Sequence, residues 1–190
     1  MKQAVRYRWL WLKAKTLLVF GRHAAALPVF EAMLELHPDN AHALASSAHL
    51  SAAQGDVAAA ILRLQQLLER TPASAAAWFN LGYVQQRAGE HDDAARAFQK
   101  AVRLDPKMDR AWYGLGLALM YKRQLMDAAD AFRQTTVLQP MGPHAWYRLA
   151  EIWSALGKPE QAREVLQHLR TFEPKVAAQF DASVARHATS

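Results

Sequence analysis

A step of 34 residues carries proline onto proline along almost the whole chain. From Pro106 it reaches Pro38, Pro72, Pro140 and Pro174, so 5 of the 8 prolines share one register. The same step from Ala94 reaches Ala26, Ala60, Ala128 and Ala162. Trp78 steps to Leu10, Leu44, Trp112 and Trp146, all large and apolar. Gly89 steps to Gly21, Gly55 and Gly157, with Arg123 as the one departure. Such a period marks stacked supersecondary units, none of which buries its apolar face alone.

Each recurring residue has a mechanical job. Glycine ends a first helix, where φ > 0 lets the chain reverse with little strain. Alanine sits where the second helix crosses the first, and a larger side chain there would push the pair apart. The Trp or Leu position and the Phe30, Phe98 and Phe132 series fill the space between helices. Proline cannot continue the second helix, so it closes the unit. Ala, Leu, Gln, Arg and Glu, all helix formers, fill the intervals, and strand signals are absent. The expectation is an all-α chain: a basic leader over 1–6 and five repeats over 7–176. These are Tyr7–Asn40, Ala41–Ser74, Ala75–Met108, Asp109–Gly142 and Pro143–Val176, with a capping helix and frayed end over 177–190. Pro143 suits the first position of a helix, and Asp92, Asp93 and Glu160 suit the first turns of second helices.

The net charge of +6 is concentrated in one place. Lys2, Arg6, Arg8, Lys13, Lys15 and Arg22 precede residue 23 without an acidic residue, and the remainder holds 17 basic and 17 acidic residues. A nucleic-acid-binding array would carry cations along one face through many repeats, so this distribution argues against nucleic acid. The absence of cysteine excludes disulfides, thiolate metal sites and a lipid-anchored cysteine, and fits the cytoplasm. Lys13 and Lys15 interrupt the apolar run from Trp9 to Phe20, which therefore suits neither a membrane span nor a signal peptide. With Leu10, Ala14, Leu17 and Gly21 in phase, it is a degenerate first repeat. A basic, Trp-rich helix also offers a contact through Arg6, Arg8, Trp11 and Lys15 to an anionic membrane surface or a partner protein, making a membrane-associated assembly factor the alternative reading.

Trp78, Leu81, Gly82, Ala94, Phe98 and Pro106, then Trp112, Leu115, Gly116, Ala128, Phe132 and Pro140, resemble the tetratricopeptide repeat, a helix–turn–helix unit of this length. The resemblance covers residues 7–176 and implies a right-handed α-α superhelix, a solenoid of paired antiparallel helices. It implies a concave wall lined by first helices, where proteins of this family typically hold an extended or helical peptide. Inward positions that do not serve as anchors would then be Phe79, Asn80, Tyr83 and Arg87, then Arg110, Tyr113, Leu117 and Tyr121, then Tyr147, Arg148 and Glu151. Aromatics give stiff contact area and arginine binds carboxylates, which suits peptide capture.

The function so implied is a non-catalytic scaffold, adaptor or assembly chaperone whose partner is another protein, with no cofactor and no metal. The Hsp70/Hsp90 co-chaperones of this family grip a terminal carboxylate with a fixed set of Lys, Asn and Arg across three repeats, and Asn80, Arg110 and Arg148 fall at inward sites without completing that set. Gly114, Ala45 and Phe79 break that set. Type III secretion chaperones share the build but generally have three repeats. His42 and His49 lie seven apart on one helix, wider than a zinc-gripping pair, and no carboxylate completes a site. No phosphate loop, nucleophile elbow or metalloprotease pattern occurs.

Overall fold

The computed structural model describes residues 2–180, and every element among them is helical. Ten helices run in chain order: α1 (Lys2–Val19), α2 (His23–Leu36), α3 (Ala41–Ala53), α4 (Val57–Arg70), α5 (Ala75–Arg87), α6 (His91–Leu104), α7 (Asp109–Tyr121), α8 (Leu125–Leu138), α9 (Pro143–Ala155) and α10 (Pro159–Phe172). A further helical segment spans 174–180, and the rest of the expected capping helix lies outside the described residues. Helix α1 takes in residues 2–6 together with the start of the first expected repeat.

The chain forms two compact units, Met1–Leu104 and Asp105–Ser190. In the first, each helix from α1 to α5 packs on the next; in the second, each from α7 to α9 does the same. This is the sequential helix-pair packing of a repeat solenoid. The first unit's core joins Leu10, Phe30, Met33, Leu44, Leu64 and Leu81 among others. The second has one core around Phe132, Leu149 and Ile152 and another around Leu166, Leu169 and Phe180.

Turn chemistry explains the helix ends. Asn40, Ser74 and Asp56 accept bonds from the backbone N–H three residues on, satisfying donors that the helix leaves open. His37, Thr71, Gln139 and Glu173 each precede a proline and leave the helical region, with φ between −130° and −141° and positive ψ. The proline ring clashes with a helical residue before it, so the register proline stops the helix one residue early.

The helices of a pair meet where small faces large. A Cβ added at Gly82 would lie 2.9 Å from the Phe98 ring, and one at Gly116 would lie 2.8 Å from Phe132. The same position holds Ala48 and Ala150 in the second and fifth repeats, where Leu64 and Leu166 replace the phenylalanine. The first repeat combines Ala14 with Phe30.

The tryptophans do more than fill space. Leu10 and Leu44 are buried, but Trp78, Trp112 and Trp146 are half-buried. Their indole Nε1–H groups donate to the carbonyls of Pro72, Pro106 and Pro140 at 2.9, 2.9 and 2.8 Å. Each tryptophan thus ties its helix to the turn preceding it. In the first unit Glu31 performs a comparable tie, accepting from Ser47 and Arg63 and so joining α2, α3 and α4.

Arg123 adopts φ 61°, the conformation of Gly21, Gly55, Gly89 and Gly157 at the equivalent turns. A side chain in that region strains against its own backbone. Arg123→Gly is expected to stabilise the fold by about 0.5–1 kcal/mol in urea titrations, the relief being partly offset by a freer unfolded chain. Gly116→Ala is expected to destabilise by about 1–3 kcal/mol through overpacking, despite alanine's higher helix propensity. In a Phe132→Leu background that penalty should shrink, which a double-mutant cycle measures.

Candidate functional site

The first helix of each repeat uses one side for the core and leaves another in solvent, and the expected binding residues divide between them. In the first unit, Phe79 is half-buried, tilted against Phe98 at 5.9 Å and stacked on Tyr83 at 6.4 Å. Tyr83 is 50% exposed. Asn80 and Arg87 are exposed on the same helix. In the second unit, Tyr113 meets the Phe132 ring edge-on at 5.4 Å, and Tyr147 meets Phe180 at 5.6 Å. Phe79, Tyr113 and Tyr147 are equivalent positions, so this series packs against an aromatic ring while keeping part of its surface in solvent. Arg110 lies exposed in the first turn of α7, apart from the pocket described next.

Arg148 draws several of these residues together. Its Nη1 donates to Glu151 Oε2 at 2.7 Å, and its guanidinium lies 5.8 Å from the Tyr147 ring centre. Burial works against its charge, but hydrogen bonds to Glu151 and Tyr113 and the attraction of Glu151 outweigh that, so its pKa lies above the ordinary arginine value. Arg148, Leu117, Met120, Tyr121 and Arg123 line an open pocket of about 420 Å³. Its walls offer thioether, aromatic and aliphatic surface beside two guanidinium groups.

Met120 and Arg123 were not among the residues expected from the sequence. The signal for Arg123 was present: it is the one residue that breaks the glycine series. The turn that carries its strain also sets its side chain at the pocket.

The first unit holds a second depression of about 530 Å³, lined by residues of α4, α5 and α6 that include Trp78, Gln85 and Arg96. None of the expected binding residues lines it. Arg6, Arg8, Trp11 and Lys15 are all exposed on α1, with the Lys15 ammonium 5.3 Å from the Trp11 ring centre. Among the described residues, no three of His, Asp and Glu converge as a metal site would require. His42 packs edge-on against Phe30 at 5.9 Å.

The tetratricopeptide repeat model matches residues 2–41, 12–62, 47–109, 84–120 and 113–182, in overlapping segments that take in nearly the entire chain. The chain belongs to the tetratricopeptide repeat family. No curated protein sequence matches it. Among solved structures of this fold, one of MamA is 22% identical with a TM-score of 0.82, covering 87% of this chain and 96% of that one. MamA from Desulfovibrio magneticus RS-1, from its residue 41 to the end, is 20% identical with a TM-score of 0.82, covering 89% and 96%. YrrB, described as a tetratricopeptide repeat protein with an unusual peptide-binding site, is 20% identical with a TM-score of 0.80, covering 89% and 88%. At these identities the likeness is one of fold.

The division of the tetratricopeptide faces has a measurable consequence. Tyr121→Ala, at a residue 65% exposed, should change stability by no more than about 0.5 kcal/mol. Tyr113→Ala should cost about 2 kcal/mol, because the ring packs on a fully buried phenylalanine. Thermal and urea unfolding of the two variants compares them directly.

Proposed function

We propose that this chain is a non-catalytic recruiting module, a scaffold, adaptor or assembly chaperone, that holds an extended or helical segment of another protein against its first helices. The observation that carries this reading is the pocket of Leu117, Met120, Tyr121, Arg123 and Arg148. It combines apolar wall with cations, and three of its residues, Leu117, Tyr121 and Arg148, are ones the family resemblance marks as inward-facing. Tyr83, Asn80 and Arg87 supply comparable chemistry in the first unit. The peptide-binding character of YrrB, a relative in fold, supports the same class of ligand. A peptide offering an apolar side chain next to a carboxylate matches the second unit's pocket best, since arginine grips carboxylates with paired donors.

The test is affinity capture from the native extract, followed by titration of the captured partner's peptides. Tyr121→Ala and Arg123→Gly are each expected to weaken binding about tenfold or more, as loss of an interface anchor does. Arg123→Gly separates binding from folding, because it is expected to raise stability while lowering affinity. Capture that survives both substitutions unchanged would remove the pocket from the proposal.

A further inference from the structure

Helix α1 has two apolar faces. Leu10, Ala14, Tyr7, Leu17 and Leu18 turn into the first unit's core. On the opposite side Val5, Trp9, Leu12 and Val19 follow at helical spacing, with Phe20 in the turn directly after the helix, all 52–75% exposed. Arg8 and Lys15 flank this second stripe on one side and Arg6 and Lys13 on the other, all exposed. No acidic residue occurs before Glu31.

Comparison with the other repeats shows what this face is not. Trp9 occupies the position of Ala43, Ala77, Ala111 and Ala145, each no more than 3% exposed. Ala77 shares a core with Leu64, Leu67 and Leu68 of the preceding second helix, and Ala145 with Ala128 and Phe132 of its own. This is therefore the surface on which one repeat receives the one before it. Lys13 takes the place of Ser47, Leu81, Leu115 and Leu149, and Thr16 that of Leu50, Val84, Ala118 and Ile152, all buried. A helix docked in the usual way would meet an indole where alanine belongs and an ammonium where leucine belongs. The face is not built to receive another repeat.

Nor does it suit a two-fold contact with a second copy of the chain. A two-fold contact brings the same patch against itself, which would set the four cations against their own kind with no carboxylate on α1 to answer them. An apolar stripe bordered by cations and bearing Trp and Phe matches a lipid surface, where rings enter the headgroup boundary and lysine stems reach back to phosphates. No helix among the described residues is long and apolar enough to cross a membrane, so contact would be in the plane of the surface. We propose that the outer face of α1 docks the protein on anionic phospholipid, with Trp9, Leu12 and Phe20 inserted and Arg6, Arg8, Lys13 and Lys15 on the headgroups. Lys13 stacks on the Trp9 ring, 5.1 Å from its centre, coupling the two parts of the contact.

The test uses the full chain and vesicles of phosphatidylcholine, with or without phosphatidylglycerol. Flotation with the anionic vesicles at low salt is expected, with loss at high salt and on phosphatidylcholine alone. Lys13→Ala/Lys15→Ala should weaken partitioning about thirtyfold, and Trp9→Ala/Phe20→Ser by at least about tenfold, with helicity retained because all four side chains are exposed. Lipids brominated in the acyl chain should quench the wild-type tryptophan fluorescence more than that of Trp9→Phe. The proposal is overturned if the intact chain fails to float with anionic vesicles at low salt, if both double variants float unchanged, or if quenching is equal in wild type and Trp9→Phe. A wild-type dimer that either double variant converts to monomer would also overturn it, by assigning the face to a second copy.

Discussion

Everything in this molecule depends on how closely two helices of a pair can approach. Gly82 against Phe98 and Gly116 against Phe132 leave less room than a methyl group needs, so the contact is set by a hydrogen atom on one side and a ring on the other. The closeness fixes which way each first helix is rotated, and rotation decides which residues reach core and which reach water. Dense packing makes that arrangement stiff, since a helix cannot turn without driving its neighbours off their rotamers.

The fold was legible in the sequence because its anchors are few and chemically distinct. A proline that forbids a helical neighbour, a glycine at a left-handed turn and an alanine at a crossing leave the same trace in every unit. What resisted reading was anything a side chain does with only part of its surface. The spacing marks Trp112 as large and apolar, yet gives no hint that its nitrogen holds the carbonyl of Pro106. Phe79, Tyr113 and Tyr147 read as surface aromatics, but each leans on a ring behind it, so part of each side chain serves the packing. The cluster around Arg148 depends on rotamers and on a turn, and Met120 carries no mark that sets it apart from any other helix-filling methionine.

Charge is arranged differently in the two places where contacts are proposed. At the pocket, one arginine is already answered by Glu151, so a ligand carboxylate would share a partly compensated cation with an uncompensated neighbour at Arg123. On α1 no acidic residue compensates the cations locally, and with 17 charges of each sign elsewhere the remainder of the chain adds no net charge. The first arrangement favours discrimination between short-range partners; the second favours attraction at a distance that salt weakens. A molecule with both can arrive at a surface by one rule and choose a companion by the other.

The alanine row of Ala43, Ala77, Ala111 and Ala145 has a bearing on how such a protein can change its length. Units whose receiving surface keeps the alanine can follow one another, so copying or deleting one of them leaves a junction of familiar shape. The unit that begins with Trp9 and Lys13 has surrendered that property. Growth by duplication is therefore directional: the interior can gain a module, while the side of α1 cannot until its tryptophan and lysine revert to small and apolar residues.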